Sequence, residues 1–261
     1  MGKIENGQDV DVEALDAFFA RTPRLAVAFS GGTDSSYLVA AAKRAGVEVR
    51  AYLVRSAFQP PCETADAERL AAEQGAELTV VDVDVLERDE ICENPPDRCY
   101  FCKRFIFSTI RERMEADGFD VLADGTNATD DPESRPGFRA LAELGVVSPL
   151  RRAGMSKDDV RAASRELGLF TAGKPSFSCF AVYVEPGERI TTESLRAAAR
   201  TPEVAAKFIA RNAAVGNGLG EACPADRNVP HLADDGLAGE GPAAEQPAPD
   251  ADAADEAEGA R

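Results

Sequence analysis

The segment with the most chemical content is the run Ser30-Gly-Gly-Thr-Asp-Ser35, between a short apolar stretch and a stretch with helical periodicity. Its glycines let the backbone turn tightly with N–H groups facing inward, and the helix that follows adds the positive end of its dipole. Such a loop can hold a pyrophosphate group. The residues predicted to contact it are Ser30, Gly31, Gly32, Asp34 and Ser35, and Asp34 is also a candidate magnesium ligand.

This spacing differs from the Gly-x-x-x-x-Gly-Lys-Ser/Thr pattern of P-loop NTPases. It resembles the Ser-Gly-Gly-x-Asp-Ser signature of the PP-loop ATP pyrophosphatases, which cleave ATP between the α- and β-phosphates and adenylate a substrate oxygen. The alternative is a Ser/Gly turn with an Asp cap and no ligand. The strand expected before the run and the helix expected after it favour the phosphate loop.

A second polar turn, Asp124-Gly-Thr-Asn127, follows a later apolar run. In an open α/β sheet, ligands bind beyond the carboxyl ends of the strands, at the point where strand order reverses. We therefore expect Gly125 and Thr126 to close the other side of the nucleotide pocket. The competing interpretation is an ordinary Asp-Gly turn without a ligand.

The cysteines offer a second kind of chemistry. Cys99 and Cys102 are three residues apart and hence on one helix face, and Cys179 lies far downstream. Buried core cysteines, a redox pair, and a zinc site with Cys92 as fourth ligand are all possible. The single histidine, His231, lies in an acidic segment and is a poor ligand candidate. Three thiolates without a fourth ligand suit a [4Fe–4S] cluster whose open iron can carry sulfide.

Alternating strands and helices must position these groups. Short apolar runs at 25–29, 49–54, 78–83, 121–123 and 146–147 predict strands. Helical periodicity falls at 10–20, 35–45, 63–74, 98–117 and 137–144, and Ser156 caps a further helix that ends near Gly168. A last helix is expected at 201–213, and 173–192 reads as a structured loop or short strands. The pattern predicts an α/β fold with a doubly wound, five-stranded parallel sheet.

Composition bounds the function. The 261 residues carry 46 acidic and 29 basic side chains, for a formal net charge of -17, and residues 216–261 alone hold eleven acids and two bases. This balance argues against a broad basic surface for nucleic acid. No apolar run approaches the ~20 residues that span a bilayer. We expect a cytoplasmic protein with reduced thiols, no membrane contact, and a disordered acidic tail at 215–261.

Several motifs together resemble one family. In order, they are Ser30-Gly-Gly-Thr-Asp-Ser35, the stretch 94–103 around Cys99 and Cys102, the stretch 124–131 with Arg135-Pro-Gly137, Ser148-Pro-Leu150, and Lys174-Pro-Ser-Phe-Ser-Cys179 with Gly187-Glu-Arg-Ile-Thr191. Over about residues 10–195 the chain looks like the LarE family of ATP-dependent sulfur transferases, which help build a nickel-pincer nucleotide cofactor. The resemblance implies a PP-loop, adenine nucleotide α-hydrolase-like domain at 10–172 and a sulfur-site segment with a short helix at 173–214.

The resemblance also implies roles. A carboxylate of a pyridinium dicarboxylate mononucleotide is adenylated by ATP with Mg²⁺ and converted to a thiocarboxylate. Cys179 matches the sulfur-site cysteine, and Cys99 with Cys102 suggests the members that hold a [4Fe–4S] cluster rather than those that sacrifice one cysteine. Lys103 is a candidate phosphate contact, and Arg135 a contact of nucleotide or substrate phosphate. Both could instead be solvated surface charges.

The chain also departs from the family. Where members commonly have Cys-Leu-Ala-Ser-Arg, it has Cys179-Phe-Ala-Val-Tyr183, and the usual C-terminal domain is not recognisable after about Arg200. We expect a shortened member, a homo-oligomer that takes sulfide from a donor protein or from solution. The alternatives are a tRNA-thiolating PP-loop enzyme with a [4Fe–4S] cluster, a zinc-bearing PP-loop ligase, and a nucleotide-binding regulator with a degraded site.

Overall fold

The sheet at the centre of the fold is parallel, as predicted. The computed structural model of the chain describes residues 4–5, 8–9, 14–132 and 135–215. Strands β1 (Ile4–Glu5) and β2 (Gln8–Asp9) form a short antiparallel pair. The strands β3 (Arg24–Ala28), β4 (Glu48–Arg55), β5 (Glu77–Asp82) and β6 (Leu122–Ala123) form a parallel sheet in the order β5-β4-β3-β6.

The position predicted for a fifth strand is reduced to one parallel bridge. Val147 pairs with Ala123 at the β6 edge and goes no further. The apolar run there is two residues long, and Pro149, which has no N–H to donate, opens a helical turn two residues later. The doubly wound parallel arrangement is confirmed, and among the described residues its sheet has four strands.

Helices connect the strands. They are α1 (Leu15–Arg21), α2 (Thr33–Arg44), α3 (Pro61–Gln74), α4 (Asp89–Cys92), α5 (Arg98–Ala116), α6 (Gly137–Glu143), α7 (Pro149–Arg152), α8 (Lys157–Glu166), α9 (Thr192–Ala199) and α10 (Pro202–Val215). Most match the predicted periodic stretches within a few residues, whereas the sequence reasoning missed α4, α7 and α9. Ser156 caps α8 as expected, in a reciprocal capping box with Asp159.

Side-chain alternation along the strands divides the core into two layers. On β3, Leu25 and Val27 face a cluster shared with α2 and α8, whereas Ala26 faces α5 and α6 on the other side. On β4, Leu53 belongs to the first layer and Tyr52 to the second. The period of two thus covers both faces with helices, which is why the central positions of these strands are mostly apolar.

The segment after α8 builds a third apolar cluster. Of the two alternatives predicted for 173–192, the structured loop is present: two 3₁₀ turns (Phe170–Gly173 and Phe180–Tyr183) precede α9 and α10. Phe180, Leu195 and Phe208 pack there against residues from the first half of the chain. This packing fixes the sulfur-site segment against the sheet domain.

One prediction falls almost wholly outside the residues that the structure describes. The acidic tail predicted for 215–261 lies outside the described residues, apart from Val215 at the end of α10. Within the described ranges, no helix combines the length and the apolar character that crossing a membrane requires.

Candidate functional site

The predicted phosphate loop lies between β3 and α2. Gly31 has a φ of +69°, and α2 begins after Gly32 without a side-chain cap on its first N–H groups. The hydroxyl oxygens of Ser30 and Ser35 are 3.1 Å apart, and the Gly32 N–H donates to the Ser30 oxygen at 3.4 Å. The loop therefore presents free helix N–H groups and two hydroxyls on one side, as an anion site requires.

Two glycines, Gly31 in the loop and Gly125 in the turn after β6, have no room for a side chain. A Cβ at Gly31 would lie 2.9 Å from the Glu63 carbonyl oxygen of α3. A Cβ at Gly125 would lie 2.7 Å from the backbone nitrogen of Ser35. The turn after β6 is thus pressed against the start of α2, so the two predicted halves of the pocket are adjacent.

The predicted magnesium ligand is already paired. One oxygen of the Asp34 carboxylate lies 2.5 Å from the Lys157 ammonium at the start of α8, and the other accepts from the Asn127 amide at 3.2 Å. Both partners line the same cavity as Asp34. A cation at Asp34 would therefore share or displace the Lys157 contact.

The turn after β6 is held by its own acid. The Asp124 carboxylate accepts from the Ser148 hydroxyl at 2.7 Å and from the backbone N–H and hydroxyl of Thr126. These bonds leave Gly125 and Thr126 along the cavity wall. Unlike an ordinary surface Asp-Gly turn, this turn is held by bonds of which the two from Thr126 are buried.

Two neighbouring cavities meet at the loop. The larger, about 730 Å³, lies between the loop, the 124–130 turn and Cys99, and the smaller, about 270 Å³, lies between the loop, α3 and Cys179. Both are lined by Ser30, Gly32, Asp34, Lys157, Ser176, Phe177 and Ser178. The phosphate loop therefore lines two adjacent cavities, one of which reaches Cys99 and the other Cys179.

Four cysteines carry free thiols, namely Cys92, Cys99, Cys102 and Cys179. Burial raises the pKa of the Cys179 thiol, although the Arg98 guanidinium opposes this. Burial, with smaller contributions from the thiols of Cys179 and Cys99, raises the pKa of Cys102 to about 12. The three predicted cysteines are thus close enough to influence one another electrostatically. Cys62 is disulfide-bonded, so the expectation of reduced thiols throughout is not met.

The predicted cluster ligands do not form a recognisable metal site. Among the described residues, no group of three or more Cys, His, Asp or Glu side chains is arranged to hold a metal ion. Cys92, the candidate fourth zinc ligand, is buried and its thiol points to the carbonyl oxygens of Val85 and Leu86 at 3.4 Å each. The arrangement gathers thiols near the nucleotide pocket without the convergence of a metal centre.

A buried arginine fixes the cysteine segment. Arg98, which opens α5, donates to the Asn94 side chain at 2.6 Å and to the Ala181 carbonyl at 2.7 Å. Both bonds come from Nη1, and the Nη2 atom of Arg98 lies 3.8 Å from the Cys99 sulfur. Asn94, at a φ of +51°, in turn donates to the carbonyls of Val184 and Glu185. The two halves of the predicted sulfur site are therefore joined by hydrogen bonds.

The two predicted phosphate-binding cations differ in placement. Arg135 lines the larger cavity, where it pairs with Asp130 at 2.5 Å. Lys103 lies apart from both cavities among the described residues; its stem crosses Gly137 and its ammonium is 5.7 Å from the centre of the Phe138 ring. The geometry brings Arg135, but not Lys103, to the loop.

Two lysines that the sequence reasoning did not single out are central to the site. Lys157 lines both cavities, and Lys174, only 1% exposed, donates to the Gly31 carbonyl at 3.0 Å. Lys157 occupies the first turn of a helix, where the dipole disfavours a cation, and this was a readable signal. Lys174 is a charged residue in a largely apolar stretch, and this was a second signal in the sequence.

The fold and the loop define an α/β protein of the PP-loop class that uses ATP. The family model for the queuosine biosynthesis protein QueC matches residues 24–91, which hold the loop and the strands β3 to β5. Among solved structures, an NH3-dependent NAD synthetase from Campylobacter jejuni is similar over 63% of this chain and 76% of its own, at 18% identity and a TM-score of 0.49.

Curated relatives are closer. The uncharacterized protein slr1717 of Synechocystis is 34% identical over 190 residues, 72% of this chain and 71% of its own length. The pyridinium-3,5-bisthiocarboxylic acid mononucleotide synthase of Lactiplantibacillus plantarum is 35% identical over 148 residues, which are 56% of this chain and 54% of the length of the synthase. The chain belongs to one family with slr1717, and the Lactiplantibacillus synthase is a homologue of the LarE kind that the motifs predicted.

A more distant relative is the tRNA-specific 2-thiouridylase MnmA of Thermotoga maritima, 24% identical over 193 residues and 58% of this chain. The chain spans about half the length of this enzyme and of the Lactiplantibacillus synthase, 54% in each case.

The first testable consequence concerns the crowding at Gly31. We expect Gly31→Ala to lower the free energy of unfolding by about 2–4 kcal/mol, because it adds left-handed strain to a backbone clash. Gly46→Ala is the matched control, since Gly46 has a φ of +80° and open space around it. Urea unfolding of this control should show a loss of about 1–2 kcal/mol in the free energy of unfolding, because only the left-handed strain is added. Equal losses would contradict the close approach of the loop to α3.

The second testable consequence concerns the reactivity of the cysteine thiols. The thiolate is the reactive form, so exposure and a low pKa both favour alkylation. We expect iodoacetamide at neutral pH to modify the exposed Cys99 first and Cys102 and Cys179 more slowly, with buried Cys92 as the slow internal control. Peptide mass spectrometry over a time course gives the order. Labelling of Cys179 ahead of Cys99 would contradict the described burial.

Proposed function

We propose that this chain uses ATP to adenylate a carboxylate of a pyridinium dicarboxylate mononucleotide and then replaces the activated oxygen with sulfur, giving a thiocarboxylate for a nickel-pincer nucleotide. The observation that carries the proposal is that the phosphate loop lines two adjacent cavities, one lined also by Cys99 and the other by Cys179. A sulfur transferase needs the activated carbon and the sulfur to meet.

The loop suits the pyrophosphate of ATP. The N–H groups at the start of α2 and the hydroxyls of Ser30 and Ser35 would donate hydrogen bonds to its oxygens, and Lys157 would add a cation. An apolar cavity of about 130 Å³ lies between the ends of β3 and β4, lined by Phe29, Leu53 and Val54 among others. It could hold the flat face of the adenine ring, with Gly125 and Thr126 on the opposite side of the ribose.

Adenylation then has a simple balance. A carboxylate oxygen attacks the α-phosphorus, the bond to the bridging oxygen breaks, and pyrophosphate leaves with the electron pair. The acyl-adenylate carbon is now attackable because AMP is a good leaving group. Magnesium, for which Asp34 is our proposed ligand, supplies charge neutralisation on the departing pyrophosphate when it is bound. Arg135, at the cavity wall, is our proposed contact for the substrate phosphate.

Sulfur delivery is assigned to Cys179, which lines the smaller cavity. Its thiolate attacks the acyl carbon, AMP leaves, and a thioester joins substrate to protein. Loss of the Cys179 α-proton with cleavage of its Cβ–S bond would release the thiocarboxylate and leave dehydroalanine, the sacrificial route implied for some members. Arg98, held beside this segment, favours the thiolate.

The [4Fe–4S] route remains a prediction with Cys99, Cys102 and Cys179 as its ligands. Its support is the number and proximity of these thiols, and against it stands the lack of a convergent metal-binding group in the described ranges. In this route the cluster would supply an exchangeable sulfide. The sulfide donor, the homo-oligomeric state and the cytoplasmic location predicted above stay proposals.

The sulfur step can be separated from adenylation by one substitution. We expect Cys179→Ala to abolish the gain of sulfur in the nucleotide product while leaving ATP-dependent pyrophosphate release within about twofold, because only the sulfur atom of the site is removed. Mass spectrometry of the product and a pyrophosphate assay measure the two steps.

Cys92→Ala is the matched control, since Cys92 is buried outside both cavities, and it should retain both steps. Sulfur transfer by Cys179→Ala at the wild-type rate would contradict the assignment. Sulfur incorporated into bound tRNA, but not into the nucleotide, would favour the thiouridylase alternative, against which the acidic charge of the chain argues.

Metal analysis separates the two sulfur routes. Anaerobically purified protein with about four irons and matching sulfide, lost in Cys99→Ala and Cys102→Ala, would support the cluster. Iron-free protein that loses the mass of H₂S at residue 179 after one turnover would support the sacrificial route. Stoichiometric zinc without iron would exclude the cluster in favour of the zinc alternative.

A further inference from the structure

A chain of buried charges runs from the last described helix to the phosphate loop. Arg211 of α10 makes a two-pronged contact with Asp66 of α3, one prong 3.0 Å from Nε to Oδ2 and the other from Nη2 to Oδ1. Asp66 also lies 2.6 Å from the Lys174 ammonium, which donates to the Gly31 carbonyl at 3.0 Å. Three side chains thus connect α10 to the residue on which the loop turns.

These groups are shielded from water. The side chains of Lys174, Asp66 and Arg211 are 1%, 5% and 9% exposed, and Glu63, 2.9 Å from the same ammonium, is 12% exposed. Buried charges persist only when they are paired, and each removal leaves its partner uncompensated. The network is therefore sensitive to the loss of any member.

The network also holds the loop in place. The Lys174 ammonium donates to the Gly31 carbonyl, and the Thr33 hydroxyl donates to the Thr171 carbonyl at 2.9 Å. The Thr171 carbonyl belongs to the 3₁₀ turn Phe170–Gly173, and Lys174 directly follows that turn. The turn in turn packs on α10, where a Cβ at Gly173 would lie 3.8 Å from the Ala214 side chain.

Charge gives the network a second consequence. Glu63 and Asp66 place two carboxylates directly beneath a loop that would receive the phosphates of ATP. Lys174 and Arg211 match them with two cations. Removing one cation would leave a net negative charge under the phosphates, in surroundings where it is poorly screened.

We propose that α10 is a working part of the ATP site and that Arg211 is its positioning residue, which acts through Asp66 and Lys174 to hold the Gly31 carbonyl and to neutralise the acids beneath the loop. This inference rests on the proposed use of ATP at the loop. It assigns to α10 a role that the sequence, which showed only a short terminal helix, did not suggest.

The test compares Arg211→Met with Lys207→Met. Lys207 lies on the same helix, but it contacts Tyr183 and Glu203 rather than the network. For Arg211→Met we expect MgATP binding, measured by calorimetry, to weaken about tenfold, from one uncompensated charge near the phosphates. Hydrogen exchange should rise in residues 29–35 and stay unchanged in β4. Lys207→Met should leave both readings at wild-type values.

The double variant Asp66→Asn/Arg211→Met separates charge from stability. It removes the acid together with its cation, so MgATP affinity should recover at least partly relative to Arg211→Met. Arg211→Lys, which keeps the charge but not the two-pronged contact, should fall between wild type and Arg211→Met. If Arg211→Met does not fold, judged by circular dichroism, the double variant and Arg211→Lys carry the comparison.

A fall in melting temperature with unchanged MgATP affinity and unchanged exchange at 29–35 would overturn the proposal and leave Arg211 a stabilising residue only. Both readings are made without carboxylate substrate or sulfur source, so failure of sulfur transfer does not affect them. If wild-type protein fails to bind MgATP, the proposed function fails, and exchange at 29–35 still decides whether α10 positions the loop.

Discussion

One buried ammonium, that of Lys174, holds the site together. It donates to the Gly31 carbonyl and pairs with the carboxylates of Glu63 and Asp66, so it joins the phosphate loop, helix α3 and the segment that leads to Cys179. Desolvating a lysine is costly, and burial of this one is offset only because three oxygens surround it. The same requirement fixes the loop, because a shift of Gly31 would leave the ammonium short of a partner.

That constraint also sets the distance between the two proposed reactions. Cys179 is five residues beyond Lys174, and it is anchored from the other side when Arg98 binds the Ala181 carbonyl. The segment between them lines both cavities through Ser176, Phe177 and Ser178. A group that binds the loop and a group that supplies sulfur are therefore held by one short stretch of chain, which is what a transfer between them needs.

The sheet, the phosphate loop and the family could be predicted because each rests on local pattern. Apolar runs such as 49–54 mark buried parallel strands, and the glycines of the loop follow from its geometry. The lysines were missed because their partners are distant in sequence: Lys157 lies 123 residues from Asp34, and Lys174 lies 143 from Gly31. At 146–147 the predicted strand is a single parallel bridge, because an apolar run of two residues does not show how far a ladder extends.

The state of the sulfur-site thiols bears on the order of the proposed steps. Burial raises the pKa of Cys179, so at neutral pH its thiol is mainly protonated and weakly nucleophilic in the free protein. A thiolate beside ATP could react as a nucleophile before a substrate is activated, whereas a protonated thiol is a weak nucleophile. Arg98 opposes the burial effect and lies against Cys99, so the charge that would stabilise a thiolate is already in place. Under the proposed function, an acyl-adenylate carbon is the partner that makes deprotonation productive, and adenylation therefore precedes sulfur transfer.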